Sequence, residues 1–299
     1  MTVNPILQNL LAELRMGRFR PRAIRKFVTY GVRHAVNLAW TLKDLRRSFY
    51  VASAGMAAVL LVIGLLLELV LPDGLGRRAW VAEAVLFGVV FGLTLLQLGL
   101  VRAENTGEVY DRFVFPNVLT LLRLLVIPYA VAAMAAGTDG NAAVAAFGVL
   151  GFAVLSDTLD GTLSRWLGLT SDFGRIYDPV VDVCFHSTLA VTLYALGHVT
   201  TAYLVVVLLR YLLPPVAGVF LILSGAPFQV KSTVMGKVSS FVLSVFVCLL
   251  WGGKALQARA LVEWSIRVLE PVCIAVCAAT VLFFLGWGFR IVRRKPRTG

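Results

Sequence analysis

Charge is what this sequence has least of. Only 15% of its 299 residues are Asp, Glu, Lys or Arg, while 59% are hydrophobic and the mean hydropathy is +0.84. That balance excludes an ordinary soluble domain, in which roughly a quarter of the residues carry charge, and points to an integral membrane protein. Histidine is scarcer still, with 3 residues, and the 4 cysteines form no CxxC pair. Cys184, Cys248, Cys273 and Cys277 fall inside apolar runs, so packing is expected of them rather than a disulfide or a thiolate metal site. No small-residue cleavage site follows the first apolar run, so secretion is not expected, and no long-period repeat or low-complexity tract stands out.

What the chain has instead is a series of apolar runs of about twenty residues. They occupy 51–71, 80–101, 117–137, 142–160, 178–197, 201–223, 235–252 and 264–289, with short polar or Gly/Pro joints between several of them. The expected fold is all-α and polytopic, with about eight transmembrane helices, because a span in lipid must satisfy its own backbone. Basic residues set the orientation. Ten of the 28 Lys and Arg lie in residues 1–50 and five more between Arg290 and Arg297; Arg102, Arg112, Arg165, Arg175, Lys231 and Lys237 join them on one side, against Arg77, Arg78, Lys254 and Arg259 on the other. The positive-inside rule then puts both termini in the cytoplasm of an inner or plasma membrane. Residues 1–50 read as interfacial. Ile6, Leu7, Leu10, Leu11 and Leu14 share a helical face, and Arg22, Arg25, Lys26 and Arg33 follow, a pattern suited to anionic lipid headgroups rather than to nucleic acid.

The scarce charge gathers in one stretch. Residues 156–183, SDTLDGTLSRWLGLTSDFGRIYDPVVDV, set Asp157, Asp160, Asp178 and Asp182 in the spacing D-x2-D-G-x2-S-R-x8-G-x3-D-x3-D. On helices, Asp157 and Asp160 lie about 60° apart and Asp178 and Asp182 about 40° apart, so each pair shares a face. A short loop between antiparallel helices brings both pairs to the same membrane surface. Four converging carboxylates repel one another unless counter-charge is supplied, and an all-oxygen set without His or Cys suits Mg²⁺ or Mn²⁺, with capacity for two ions. Gly161 and Gly174 permit close backbone approach to a nucleotide, and Arg165 offers a phosphate partner. For any single aspartate, a solvated helix-end carboxylate is the plain alternative. For the set, the alternatives are a divalent-cation transporter or an inactive metal-binding scaffold.

This spacing resembles the CDP-alcohol phosphotransferase motif, with Ser164 where alanine is usual. The resemblance covers roughly residues 112–292 and implies a six-helix core. The expected organisation is a basic segment 1–50, two additional helices in 51–105, a catalytic core 106–292 and a basic tail 293–299. The resemblance further implies that Asp157, Asp160 and Asp178 bind two Mg²⁺ or Mn²⁺ ions, that Asp182 joins the metal site and acts as general base, and that Asp157, Gly161, Ser164, Arg165 and Gly174 shape the CDP pocket. The implied reaction is attack by an alcohol on the β-phosphorus of CDP-diacylglycerol, with CMP leaving, and a homodimer is implied by the relatives' habit.

Other segments bear on the acceptor. PNVLTLLRLLVIP, residues 116–128, resembles the first core helix of the phosphatidylglycerophosphate synthase branch, and Asn117, Thr120 and Arg123 follow one another at spacings of three. Capping after Pro116 is an equal reading for Asn117 and Thr120, whereas Arg123 inside a span calls for a polar cavity and an anionic partner. Lys231 and Lys237 in KSTVMGKVSS are candidates for the acceptor or lipid phosphates, membrane topology being their other reading. Arg210, in the middle of VVVLLRYLLPP, is expected to face inward toward a substrate phosphate, with Pro214 and Pro215 kinking its helix. His186, one turn beyond Asp182, either orients it or serves structure. Proline after Asp178 agrees with that branch, while Val183 stands where it usually has lysine. The expected acceptor is glycerol 3-phosphate, with inositol phosphate, phosphatidylglycerol and serine as alternatives.

Overall fold

The structure, a computed structural model, describes residues 20–72, 74–103, 106–137, 140–224 and 234–293. Its helices are α1 (Pro21–Thr41), α2 (Lys43–Glu68), α3 (Leu75–Leu96), α4 (Phe115–Leu125), α5 (Ile127–Ala135), α6 (Asn141–Trp166), α7 (Asp172–Ala195), α8 (Thr201–Ser224), α9 (Val234–Ala255), α10 (Arg259–Trp264) and α11 (Glu270–Arg293). Among the described residues there is no strand longer than an isolated bridge. Seven stretches are long and apolar enough to cross a membrane: α2, α3, α4 with α5, α6, α8, α9, and α10 running on into α11. The eighth expected span is α7. Its 24 residues give it the length, but Asp178, Asp182 and His186 take its composition out of the apolar class.

Proline explains where helices depart from the expected runs. Pro128 supplies no N–H to the carbonyl of Leu124, and the first core span divides at Val126 into α4 and α5. The last span likewise starts earlier than expected, as α10, and passes through a π turn at Ser265–Leu269 before Pro271 enters α11. The amphipathic face at residues 6–14 lies outside the described residues; α1, which follows it, carries Arg22, Arg25, Lys26 and Arg33 exposed.

Six helical rods close a ring. α4 lies against α6 and α7, α6 against α9, α9 against α11, α11 against α8, and α8 against α7. The hairpin of α2 and α3 covers the outer side of α4 and α5, with Trp80 edge-on to Tyr129 at 5.9 Å. Consequently 78% of the α4–α5 span is buried, against 22–33% for the other six. Those other helices turn Val51, Leu69, Leu155 and Phe241 outward, as a lipid solvent permits.

Each end of the ring is tied differently. At one end Glu270 Oε1 accepts from Thr200 N and Oγ1, both at 2.7 Å, capping the start of α8. Beside it Lys254 Nζ meets His198 Nε2 at 2.6 Å over the Trp251 ring. The antiparallel run of α6 and α7 places the four aspartates toward the opposite end.

Candidate active site

Residues 167–171 reverse the chain between α6 and α7, with Gly168 taking the left-handed φ of 65° that the turn requires. Ser171 caps α7: its Oγ accepts from Gly174 N at 3.1 Å and donates to Asn117 Oδ1 at 2.9 Å. One hydroxyl thereby joins the start of α7 to the start of α4. Gly174 makes the approach possible, since a Cβ there would stand 3.3 Å from Asn117 Oδ1 and 3.5 Å from Ser171 Oγ.

The four aspartates come together in two pairs, each organised by a residue of α4. Thr120 Oγ1 lies 3.0 Å from Asp160 Oδ2 and 3.0 Å from Asp178 Oδ1, and 3.2 Å from the Pro116 carbonyl. A hydroxyl has one proton, so it satisfies only one of these acceptors. Arg123 organises the other pair, with Nη1 against Asp157 and Nη2 at 3.2 Å from Asp182 Oδ1. Arg123 is 1% exposed, whereas Asp157 and Asp182 keep 48% and 33% of their side chains accessible. The site therefore has a buried side of Asn117, Thr120, Arg123 and Asp160, a half-buried Asp178, and an open rim of Asp157 and Asp182.

Three buried donors at the site make no hydrogen bond among the described residues, one of them Arg123 Nη2, whose contact with Asp182 is an ion pair only. The other two are Asn117 Nδ2 and Arg123 Nε, and a substrate oxygen would satisfy either one. No three His, Cys, Asp or Glu side chains form a ready-made ion cage among the described residues. The donor set nonetheless fits a hard divalent cation. It is all oxygen, it is gathered in two pairs, and the Asp160–Asp178 pair shares a single hydroxyl proton, which leaves one carboxylate short of a positive partner.

The remaining candidates lie around this centre. Ser164 Oγ folds back onto the Gly161 carbonyl at 3.2 Å, and Arg165 is exposed at the end of α6. Arg210, expected to face substrate, commits Nε to Ser239 Oγ at 2.8 Å and Nη2 to the Gly236 carbonyl at 3.0 Å, pinning α8 to α9. A relay of contacts leads from it to the aspartates: Arg210 covers the Tyr211 ring at 4.5 Å, Tyr211 stacks on His186 at 4.6 Å, and His186 Nδ1 lies 3.1 Å from the Asp182 carbonyl. α8 runs through Pro214 and Pro215 without ending. Lys237 is exposed on the first turn of α9, and Lys231 lies outside the described residues.

Residues 113–286, which build this ring and carry both aspartate pairs, match the family described as CDP-alcohol phosphatidyltransferase. The chain belongs to the CDP-alcohol phosphatidyltransferase family. Two relatives, each named "Probable phosphatidylglycerophosphate synthase" and from Mycobacterium tuberculosis strains CDC 1551 / Oshkosh and ATCC 25618 / H37Rv, are 30% identical to it over 148 residues, 48% of this chain and 69% of theirs. As a CDP-alcohol phosphatidyltransferase, the protein is a membrane enzyme of phospholipid biosynthesis that uses CDP-linked and alcohol substrates. The family match begins at Phe113, so α1, α2, α3 and the segment after them lie outside it.

Some residues at the site escape sequence reasoning. Ser171 carried a usable signal, a serine directly before a helix with an acidic first turn. Arg102 and Tyr110 carried none, because their partners are 60 to 70 residues away; Asp172 showed only its i,i+3 pairing with Arg175, not the one with Arg102.

Proposed function

We propose that the protein transfers the phosphatidyl group of CDP-diacylglycerol to the hydroxyl of glycerol 3-phosphate, releasing CMP at the cytoplasmic face of the membrane. The observation that carries this reading is the convergence of Asp157, Asp160, Asp178 and Asp182 on Thr120 and Arg123. The acceptor rests on the printed name of the two relatives and on the unpartnered donors of Asn117 and Arg123, which suit an anionic substrate. Basic residues on the same side of the membrane, Arg102, Arg112, Arg165 and Arg175, favour both the cytoplasmic placement and the approach of anionic substrates.

Asp157, Asp160, Asp178 and Asp182 would hold two Mg²⁺ or Mn²⁺ ions. Bound there, the ions supply charge neutralisation at the pyrophosphate and at the departing CMP. The chain's own residues do the rest. Asp182, a third exposed, accepts the acceptor's proton as the new P–O bond forms and the bond to CMP breaks. Arg123 holds Asp182 in place from its buried side. Thr120 fixes the pair of Asp160 and Asp178. Gly174 leaves room for the nucleotide beside Asn117, and Gly161, Ser164 and Arg165 line the α6 side of the pocket. Lys231 and Lys237 serve the phosphates, while Arg210 holds α8 to α9 through Ser239 and Gly236. In-line displacement needs no covalent intermediate on the enzyme.

The test supplies CDP-diacylglycerol and Mg²⁺ or Mn²⁺ to the purified protein, offers one acceptor at a time, and identifies the lipid product by mass. Phosphatidylglycerophosphate from glycerol 3-phosphate alone is the expected result. A product from inositol phosphate, phosphatidylglycerol or serine instead would replace the acceptor and keep the chemistry, and no product with any acceptor would overturn the reading.

A further inference from the structure

We propose that residues 98–103 and 106–112, which precede the family match, form a strap that positions the α6–α7 loop of the active site, with Arg102 and Tyr110 as its positioning residues. The readout of this proposal rests on the phosphatidyl-transfer reading above.

The strap has a defined build. After α3 the chain makes a 3-10 turn at Leu98–Leu100 and then folds on itself, with Ala103 N donating to the Glu108 carbonyl at 2.8 Å and Tyr110 N to the Val101 carbonyl at 3.0 Å. Its ends are anchored. Leu98 and Val101 are 0% exposed, Leu38 of α1 packs on Gly99, and Phe113 N donates to Ser48 Oγ of α2 at 3.1 Å. Between those anchors the strap grips three consecutive residues, the last two of the loop and the first of α7. Tyr110 Oη donates to the Thr170 carbonyl at 3.2 Å, Ala103 bridges Ser171, Asp172 N donates to the Arg102 carbonyl at 3.0 Å, and Arg102 Nε donates to Asp172 Oδ2 at 2.6 Å. Burial raises the Tyr110 phenol above its ordinary value, so it remains a donor.

The residue held at the centre is Ser171, whose hydroxyl caps α7 and fixes Asn117 beside Gly174. Stability is not what the Arg102 pair chiefly provides. The Arg102 side chain is 45% exposed, and ion pairs of that kind contribute little to folding. Directed bonds on both neighbours of Ser171 instead fix where its hydroxyl stands, and a small displacement of such a group has large kinetic consequences. The consequence falls on CDP-lipid binding, because the Asn117–Gly174 wall belongs to the nucleotide side of the proposed pocket.

The experiment is steady-state CMP release by the full-length enzyme in lipid nanodiscs. Arg102→Ala is expected to raise the KM for CDP-diacylglycerol about tenfold, with kcat and the acceptor KM within about threefold of wild type and the thermal midpoint unchanged. Arg102→Lys recovers most of the loss, Tyr110→Phe raises the same KM about threefold, and Asp172→Ala combined with Arg102→Ala is no worse than either alone. A loss confined to stability or to the amount of active enzyme would leave KM unmoved. Wild-type KM in both Arg102→Ala and Tyr110→Phe would overturn the strap. If Arg102→Ala does not fold, Tyr110→Phe decides on the same readout, and a wild-type KM in it overturns the strap. Failure of the wild type to release CMP would instead sink the functional reading, so the two failures are distinct.

Discussion

Replacing Thr120 with valine keeps a β-branched side chain of the same shape and deletes one hydroxyl. That hydroxyl belongs to a residue 2% exposed and stands 3.0 Å from both Asp160 and Asp178. A hydrogen bond to a carboxylate contributes about 1.5–3 kcal/mol. Expressed in the transition state, that loss lowers kcat/KM about ten- to a hundredfold, at about 1.4 kcal/mol per factor of ten. Folding should survive, because the volume is retained and the contact with the Pro116 carbonyl at 3.2 Å is a helix back-bond that the helix does not require. Thr120→Ser keeps the donor and should stay within about threefold of wild type. The assay is CMP release from CDP-diacylglycerol and glycerol 3-phosphate at fixed Mg²⁺. Wild-type kcat/KM in the valine variant would refute the idea that Thr120 organises the Asp160–Asp178 pair.

Gly174→Ala sets a methyl 3.3 Å from Asn117 Oδ1, so the KM for CDP-diacylglycerol should rise about fivefold in steady-state assays while the thermal midpoint holds. Arg210→Ala removes the bonds at 2.8 and 3.0 Å that join α8 to α9, and the thermal midpoint should fall by about 5 °C; activity loss without that fall would favour a direct role on phosphate. Burial, and then the neighbouring Lys254, hold the His198 imidazole at about 4, below its usual 6.5. The unfolded chain takes up this proton first, so stability is full above pH 6.5 and declines as pH falls toward 4; thermal midpoints across that window should show a slope that His198→Gln flattens.

Hydropathy located the spans because lipid permits little besides helix, and their breaks at Val126 and before Glu270 follow from Pro128 and Pro271. The aspartates were legible for a different reason. Spacings of three and four on adjacent antiparallel helices leave few places for the carboxylates to go. Less legible was what stands between them. Arg123 was expected to meet an anionic substrate; its guanidinium also lies between Asp157 and Asp182 on α6 and α7, with Nε left for a substrate oxygen. Arg210 turns away to Ser239 and Gly236 because an arginine within a span binds the closest available acceptors. The strap was not legible at all. Arg102 and Asp172 are 70 residues apart, and neither has a periodic or capping context that names the other.

The central claim is that the four aspartates hold the divalent metal that makes phosphatidyl transfer possible. The most direct measurement is CMP release by chelator-treated protein given CDP-diacylglycerol and glycerol 3-phosphate, before and after Mg²⁺ or Mn²⁺ is added, in wild type and in Asp182→Asn. The account predicts no release before metal, release matched by lipid product after it, and none in the variant under either condition. Release that ignores the chelator, or that persists in Asp182→Asn, would contradict it.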